Sequence, residues 1–204
     1  MLANWMLPFH QFSLLDARPL QRMTDVCEKY GLKLLTYGSF CGGFISPKWL
    51  NQPVPEIYSE ASQLTPSQRK YFDMLQNWGS WTDFQHLLST LAAIADKHNS
   101  SQHHHTCPTA AATKITLTNI ATRWILQQPS VGAVIVGTRL GVSTHAQDNL
   151  NVFRFALDEE DVQRINAVAL GAASGGAGAK DAWTRANRVF GILGDCGNEY
   201  RAMH

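Results

Sequence analysis

Short apolar runs separated by helical segments are the feature of this sequence that most limits how it can fold. Residues 10–15, 32–37 and 131–136 form runs with the length and apolar character of buried strands. Between the first two runs, apolar residues recur at helical spacing up to Gly31, which lies where a glycine commonly ends a helix. Strand, helix and strand in this order form the unit of a parallel sheet. The sequence therefore predicts an α/β fold with about three parallel strands.

Five later segments are predicted to be helical. Residues 65–77 begin with Thr65, Pro66 and Gln68 in the pattern of a capping box, and residues 82–98 carry one apolar face. Further helices are expected over residues 118–128, from Ser143 or Thr144 to 151, and from Asp158 to 170.

The segments between the predicted helices suggest how the chain is organised. Residues 1–170 are expected to form one domain, in which residues 47–64 are interpreted as an excursion. A polar, low-complexity insert at 99–113 (NSSQHHHTCPTAAAT) is expected to be a loop or a disordered segment. Residues 171–180 have the composition of a flexible linker, and residues 181–204 form a tail that can pack as a helix.

Composition excludes several classes of protein. The net charge of +1 gives no reason to expect binding to nucleic acid or to an anionic membrane, and 45% hydrophobic residues can supply a core. Four scattered cysteines form no disulfide framework, so a reducing, cytoplasmic location is expected. No apolar run approaches the roughly 20 residues of a membrane helix, and the apolar start lacks the features of a signal peptide.

Several stretches, taken together and in order, resemble the sixth to eighth strand regions of the aldo-keto reductases. They are residues 11–16 (QFSLLD), 30–48 (YGLKLLTYGSFCGGFISPK), 121–129 (ATRWILQQP), 131–139 (VGAVIVGTR) and 148–150 (DNL). The resemblance covers roughly residues 8–170 and implies a partial (β/α)8, or TIM-type, barrel with surrounding helices. A closed barrel needs about 250 residues, so this chain is expected to be a truncated form of that fold.

The resemblance also implies a site for NADP(H), if the family's binding is retained. Gln11 would hydrogen-bond the nicotinamide carboxamide, and Tyr37 would stack on the nicotinamide ring. The residues implied to hold the phosphates are Gly38, Ser39, Phe40, Gly43 and Lys48. The residues implied to hold the adenosine end are Gly137, Thr138, Arg139, Asp148 and Asn149, with Arg139 as the partner of the 2′-phosphate.

The sequence departs from the family pattern in two places, one that concerns catalysis and one that concerns cofactor binding. The family takes its catalytic Tyr, Lys, Asp and His from the first four strands, and no such set is recognisable here, so no catalytic residue is assigned. The stretch between Arg139 and Asn149 is also slightly longer than the common family pattern. This leaves the roles of Ser143, His145 and Gln147 open.

Two functions follow from these expectations. The first is an NADP(H)-linked oxidoreductase that interconverts a small-molecule carbonyl and alcohol, with a tailoring role in a secondary-metabolite pathway as one option. The second is a non-reducing truncated homologue: a binding or assembly module, a redox-neutral catalyst that uses the half-barrel cavity, or an inactive remnant. In both cases the open barrel edge predicts a homodimer or a covering partner chain.

Other notable residues are assigned structural roles. His98, residues 103–105 and Cys107 do not have the spacing of a standard zinc site, so a solvated loop is expected. The tryptophans at 78, 81 and 124 are expected to pack rather than to bind a ligand. The acidic cluster at 158–161 is expected to complement a helix dipole, and the glycines at 42–43 match no Walker or Rossmann pattern.

Overall fold

The computed structural model describes residues 9–57, 64–102, 114–138, 145–171 and 183–196. Its strands are β1 (Phe9–Gln11), β2 (Leu34–Tyr37) and β3 (Val131–Val134). Its α-helices are α1 (Met23–Tyr30), α2 (Pro66–Trp78), α3 (Trp81–Gln102), α4 (Leu117–Leu126), α5 (Ala146–Leu150), α6 (Glu159–Ala169) and α7 (Thr184–Leu193). Short 3-10 turns occupy Arg18–Leu20, Cys41–Gly43, Pro47–Trp49 and Asn151–Arg154.

The three strands form one parallel sheet in the order β1-β2-β3. This confirms the predicted α/β class with three parallel strands. Helix α1 connects β1 to β2 and ends at Gly31, whose φ of 65° is the left-handed conformation expected of a glycine cap. Because the strands are parallel, their carboxyl ends lie at the same edge of the sheet.

The strands are shorter than the apolar runs that predicted them. After Gln11, the hydroxyl of Ser13 accepts hydrogen bonds from the backbone N–H groups of Leu15 (3.2 Å) and Asp16 (3.0 Å). The N–H of Ser13 in turn donates to the carbonyl of Asp16. This local turn competes with strand pairing, so the expected strand over residues 10–15 ends at Gln11.

The two faces of the sheet have different environments. Leu34 and Thr36, on one face, are completely buried. Phe9, Leu35 and Ala133 are register partners and therefore share the opposite face. Phe9 on that face is 55% exposed and Leu35 is partly exposed. Among the described residues, the sheet therefore has one covered face and one open apolar face.

Helices on the covered side form the core with two buried tryptophans. Trp78 donates its indole N–H to the carbonyl of Ala169 at 2.7 Å, and Trp124 donates to Asn166 Oδ1 at 2.9 Å. Trp81 packs within an aromatic cluster around the buried ring of Phe44. All three tryptophans pack in the protein interior or against it, as the sequence indicated.

Capping boxes begin α2 and α6 where the sequence placed them. Thr65 accepts from the N–H of Gln68 at 3.2 Å, and Asp158 accepts from the N–H of Asp161 at 2.8 Å. Asp161 is completely buried and pairs with Lys97 (2.9 Å) and with His98 Nε2 (2.8 Å). The acidic residues at the start of α6 thus join α3 to α6 in addition to complementing the helix dipole.

Helix α3 continues beyond the end expected at His98. The hydroxyls of Ser100 and Ser101 donate to carbonyls four residues earlier, which satisfies these side chains within the helix. Asn99 exchanges two hydrogen bonds with the backbone of Ile115, at 2.8 and 2.9 Å. Residues 99–102 are therefore helical, contrary to the loop expected there, and residues 103–113 lie outside the described residues.

Other expectations fall partly outside the described residues. Ser143 and Thr144 lie outside them, as do residues 172–182 and the end of the tail. The described part of the tail forms α7. In the described part of the chain, no group of three or more His, Cys, Asp or Glu side chains could hold a metal ion. Over the same residues, no helix is long and apolar enough to cross a membrane.

Candidate functional site

Two adjoining cavities lie at the edge of the sheet where the strands end. The larger cavity has a volume of about 630 Å³ and the smaller one of about 240 Å³. Both are lined by Phe40, Gly43, Val136 and Gly137, so they form one continuous depression. We call it the strand-end groove. Its walls are the loop after β2 and the segment after β3, and its volume is in the range of ligand sites.

The groove brings together most of the residues expected to bind a nucleotide. Its larger cavity is lined by Gly38, Ser39, Phe40, Gly43, Gly137 and Thr138. Asp148 and Asn149, from α5, line the smaller cavity. Of the remaining expected residues, Gln11, Tyr37 and Lys48 line neither cavity, and Arg139 lies outside the described residues.

The glycines of the groove have two different roles. Gly38 and Gly42 have φ values of 71° and 64°, and a Cβ at either position would lie within 2.8 Å of Tyr71. Gly43 and Gly137 face open space, because a Cβ there would meet no atom within 4 Å. The backbone is therefore open to a ligand at Gly43 and Gly137, whereas side-chain packing covers Gly38 and Gly42.

Gln11 is held in a fixed orientation at the end of β1. Its side-chain amide donates to Asp16 Oδ2 at 3.1 Å, and its side chain is almost completely buried. Asp16 also accepts from the guanidinium of Arg18, at 2.8 Å to Oδ1 and 2.9 Å to Oδ2. Both charged side chains are buried. A bidentate buried pair of this kind has little freedom to move, so it anchors the amide of Gln11.

The ring of Tyr37 is partly covered by a neighbour on β1. Phe9 stacks on it with ring centroids 4.8 Å apart and an angle of 17° between the planes. Phe9 therefore excludes a planar ligand from this face of the tyrosine ring. Tyr37 lines neither cavity, but it directly precedes Gly38, which lines the larger one.

The hydroxyl and thiol groups of the loop differ in what they can do. Ser39 is 3% exposed, and its Oγ has no hydrogen-bond partner among the described residues. Cys41 is completely buried, and burial raises the pKa of its thiol to about 12. A thiol with that pKa stays protonated near neutral pH and is not a nucleophile. Cys41 is thus a packing residue, while Ser39 retains unused hydrogen-bonding capacity.

Lys48 lies on the 3-10 turn Pro47–Trp49 and is exposed. Its ammonium lies 5.5 Å from the centre of the Trp49 ring. Contact with a phosphate in the groove would require this side chain to leave the tryptophan and swing toward the cavities.

Helix α2 contributes groove residues that the sequence did not indicate. Thr65, Ser67, Gln68 and Tyr71 all line the larger cavity. The capping box correctly predicted where α2 begins, but nothing in the sequence indicated that its first turns face the loop after β2. The remaining additions are Gly42, Ile45, Ser46, Thr118, Ile135, Val136 and His145.

Comparisons with known proteins agree with this architecture. The sequence model of the Aldo/keto reductase family matches residues 10–170. The flagellar radial spoke protein 5 of Chlamydomonas reinhardtii is 37% identical over 81 residues, which are 40% of this chain and 15% of that protein. A solved glycerol dehydrogenase from Gluconobacter oxydans is similar over 82% of this chain and 44% of its own, with a TM-score of 0.50 and 16% identity. The chain thus spans less than half the length of these relatives.

Proposed function

Because this chain belongs to the aldo/keto reductase family, we propose that its strand-end groove binds NADP(H) and that the protein interconverts carbonyls and alcohols by hydride transfer. The observation that carries the proposal is the groove itself. It gathers the loop after β2, the segment after β3 and the start of α5 around one depression. In a parallel α/β sheet, the strand carboxyl ends are where ligands commonly bind.

Two features of the groove fit a phosphate-bearing ligand. The backbone at Gly43 and Gly137 faces open space, so a bulky anion can approach the main chain there. The buried hydroxyl of Ser39 lacks a partner among the described residues, and a ligand oxygen would relieve the cost of that buried polar group, about 1–3 kcal/mol. In this proposal Arg139, which follows Thr138 directly, holds the 2′-phosphate.

The remaining residues would bind and orient the nicotinamide half. A bound nicotinamide would supply the hydride that reduces the carbonyl. Gln11 offers a side chain whose orientation is set by Asp16, and Tyr37 offers an aromatic ring, one face of which is already stacked on Phe9. No described residue is assigned as the proton donor, and we propose that this group comes from outside the described part of the chain or from a partner chain.

Cofactor titration tests the first half of this proposal. Purified protein is titrated with NADPH while its tryptophan and tyrosine fluorescence is followed, and quenching that saturates is expected. A panel of aldehydes is then added and absorbance at 340 nm is recorded. Binding without a fall in absorbance would restrict the function to cofactor binding, and no quenching at high micromolar NADPH would refute the proposal.

A binding or assembly role is the second candidate, and the relationship to the radial spoke protein favours it. That relative is 37% identical over its matched residues, and its name places it in the flagellar radial spoke. The Phe9–Tyr37 stack is compatible with the same role, because it already covers one face of the expected nicotinamide platform. The titration separates the candidates, since an assembly module need not respond to NADPH.

A further inference from the structure

Tyr71 of α2 lies across the glycine loop that forms one wall of the strand-end groove. A Cβ at Gly38 would lie 2.6 Å from the Tyr71 hydroxyl, and a Cβ at Gly42 would lie 2.8 Å from Cδ2 of the same ring. The ring therefore extends from one loop glycine to the other. Tyr71 also lines the larger cavity, so part of its side chain faces the space available to a ligand.

The hydroxyl of Tyr71 lies near Gln11, at the end of the groove formed by the carboxyl ends of β1 and β2. The same Cβ position on Gly38 that is 2.6 Å from this oxygen is 3.0 Å from Cγ of Gln11. The Tyr71 hydroxyl and the Gln11 side chain are thus close neighbours at the ends of β1 and β2. Asp148 and Asn149 line the smaller cavity, whereas Tyr71 lines only the larger one.

We propose that Tyr71 contacts the cofactor and determines how its nicotinamide half is held. The proposal rests on the function proposed above, in which Gln11 and Tyr37 mark the nicotinamide end. The ring of Tyr71 packs over Gly38 and Gly42, and its hydroxyl, a group that can donate or accept a hydrogen bond, lies next to the Gln11 side chain. The adenosine half of the ligand does not depend on Tyr71.

A purely structural role for this tyrosine makes a different prediction. If Tyr71 only packs on the glycines, its ring is sufficient, and Tyr71→Phe will bind every ligand as the wild type does. If the hydroxyl contacts the nicotinamide half, the same variant binds NADPH more weakly while its stability is little changed. It then also binds ligands that lack nicotinamide with unchanged affinity.

Two ligands distinguish binding of the nicotinamide half of the cofactor from binding of its adenosine half. NADPH contains both halves, whereas adenosine 2′,5′-bisphosphate contains the adenosine end and the 2′-phosphate without nicotinamide. Dissociation constants for both are measured by calorimetry with the wild type, Tyr71→Phe and Tyr30→Phe. Tyr30 is 64% exposed on α1 and serves as the matched control. Thermal unfolding of each variant verifies that the fold is retained.

We expect Tyr71→Phe to bind NADPH about three- to tenfold more weakly, the range for loss of one hydrogen bond. Its affinity for adenosine 2′,5′-bisphosphate should remain unchanged, and Tyr30→Phe should match the wild type for both ligands. Equal NADPH affinity in Tyr71→Phe and wild type would overturn the role of Tyr71 while leaving the proposed function intact. An equal loss for both ligands would also overturn it. If the wild type binds neither ligand, both proposals fail.

Discussion

Asp16 holds the side chain of Gln11 through a hydrogen bond of 3.1 Å between the Gln11 amide and Asp16 Oδ2. The same carboxylate forms a buried ion pair with Arg18, at 2.8 Å. Asp16 therefore contributes both to the stability of the turn after β1 and to the orientation of Gln11, which is expected to bind the cofactor. Neither side chain of the ion pair is more than 3% exposed, so solvent does little to weaken their attraction.

The first prediction concerns this buried pair. Asp16→Asn removes the counter-charge of Arg18 in a site without solvent, and we expect the free energy of unfolding to fall by about 3–5 kcal/mol. Urea unfolding followed by circular dichroism measures the change. Asp96→Asn is the control, because Asp96 and Lys114 form an exposed ion pair that should contribute less than about 1 kcal/mol. Equal effects of the two substitutions would contradict the role given to Asp16.

The second prediction separates the two kinds of glycine in the groove. Gly38→Ala combines a φ of 71° with a clash against Tyr71, and we expect a loss of about 1–3 kcal/mol in stability. Gly137→Ala should leave stability nearly unchanged, because its Cβ meets nothing, yet weaken NADPH binding by reducing space for the ligand. Thermal unfolding and NADPH titration measure the two effects.

Gly191→Ala on α7 is the control for both glycine variants, since its Cβ also meets no neighbour and it lies outside the groove. It should bind NADPH as the wild type does. If Gly137→Ala also binds NADPH as the wild type does, the open backbone at Gly137 is not part of the binding site.

The third prediction concerns acid sensitivity where α7 meets the start of α3. Arg185 donates to Asp83 at 2.7 Å, and this hydrogen bond, followed by those from Ser80, holds the pKa of Asp83 well below its ordinary value of 3.8. A depressed folded-state pKa stabilises the fold above pH 3.8, and this stabilisation is lost as pH falls further. The advantage of the wild type over Asp83→Asn in free energy of unfolding should therefore shrink below that pH.

A second background makes the acid prediction specific. Arg185→Gln removes the hydrogen bond that contributes most to lowering the pKa of Asp83. In this background, Asp83→Asn should lower the free energy of unfolding by less, and this loss should depend less on pH. Urea unfolding between pH 2.5 and 7 measures all four proteins. A wild-type advantage that stays constant across this range would contradict the ion-pair interpretation. Because Asp83 is 36% exposed, we expect the effect to be modest.

The fourth prediction concerns the open face of the sheet. Phe9, on β1, is 55% exposed, and Ile135, just after β3, is 42% exposed; β1 and β3 are the outer strands of the sheet among the described residues. Exposed apolar surface beside unpaired strand edges favours association. We therefore expect a homodimer by light scattering coupled to size-exclusion chromatography. Ile135→Glu should shift the protein toward monomer, whereas Ile192→Glu on α7 should not.

A well-folded monomer of the wild type at high micromolar concentration would contradict this dimer. In that case the partner chain expected as the alternative would have to be a different protein, and the open face would be covered only in a complex.

The sequence predicted those parts of the fold that depend on local patterns. The apolar runs marked β2 and β3 because buried parallel strands are continuously apolar, and Gly31 marked the end of α1. Thr65 and Asp158 marked two helix starts through capping boxes. These signals depend on residues close together in the chain, so a single sequence carries them.

Contacts between distant segments were not predictable in the same way. The turn at Ser13 shortened β1 because a side-chain hydrogen bond competed with strand pairing. The approach of Tyr71 to Gly38 depends on how α2 packs against the loop after β2. The stack of Phe9 on Tyr37 depends on strand register. For the groove, the resemblance to the family pointed to the glycine loop and the strand ends but not to α2.

The pairing of β2 with β3 has a consequence for how the chain reaches its fold. Thr36 on β2 donates its hydroxyl to the carbonyl of Ala133 on β3, across 97 residues of sequence. Closing a loop of this length costs conformational entropy, so we expect this pairing to form after local helices such as α2 and α3. One wall of the groove follows β2 and the other follows β3. The groove therefore forms only when these two strands have paired. A nucleotide bound there would favour the closed chain by mass action and slow its unfolding.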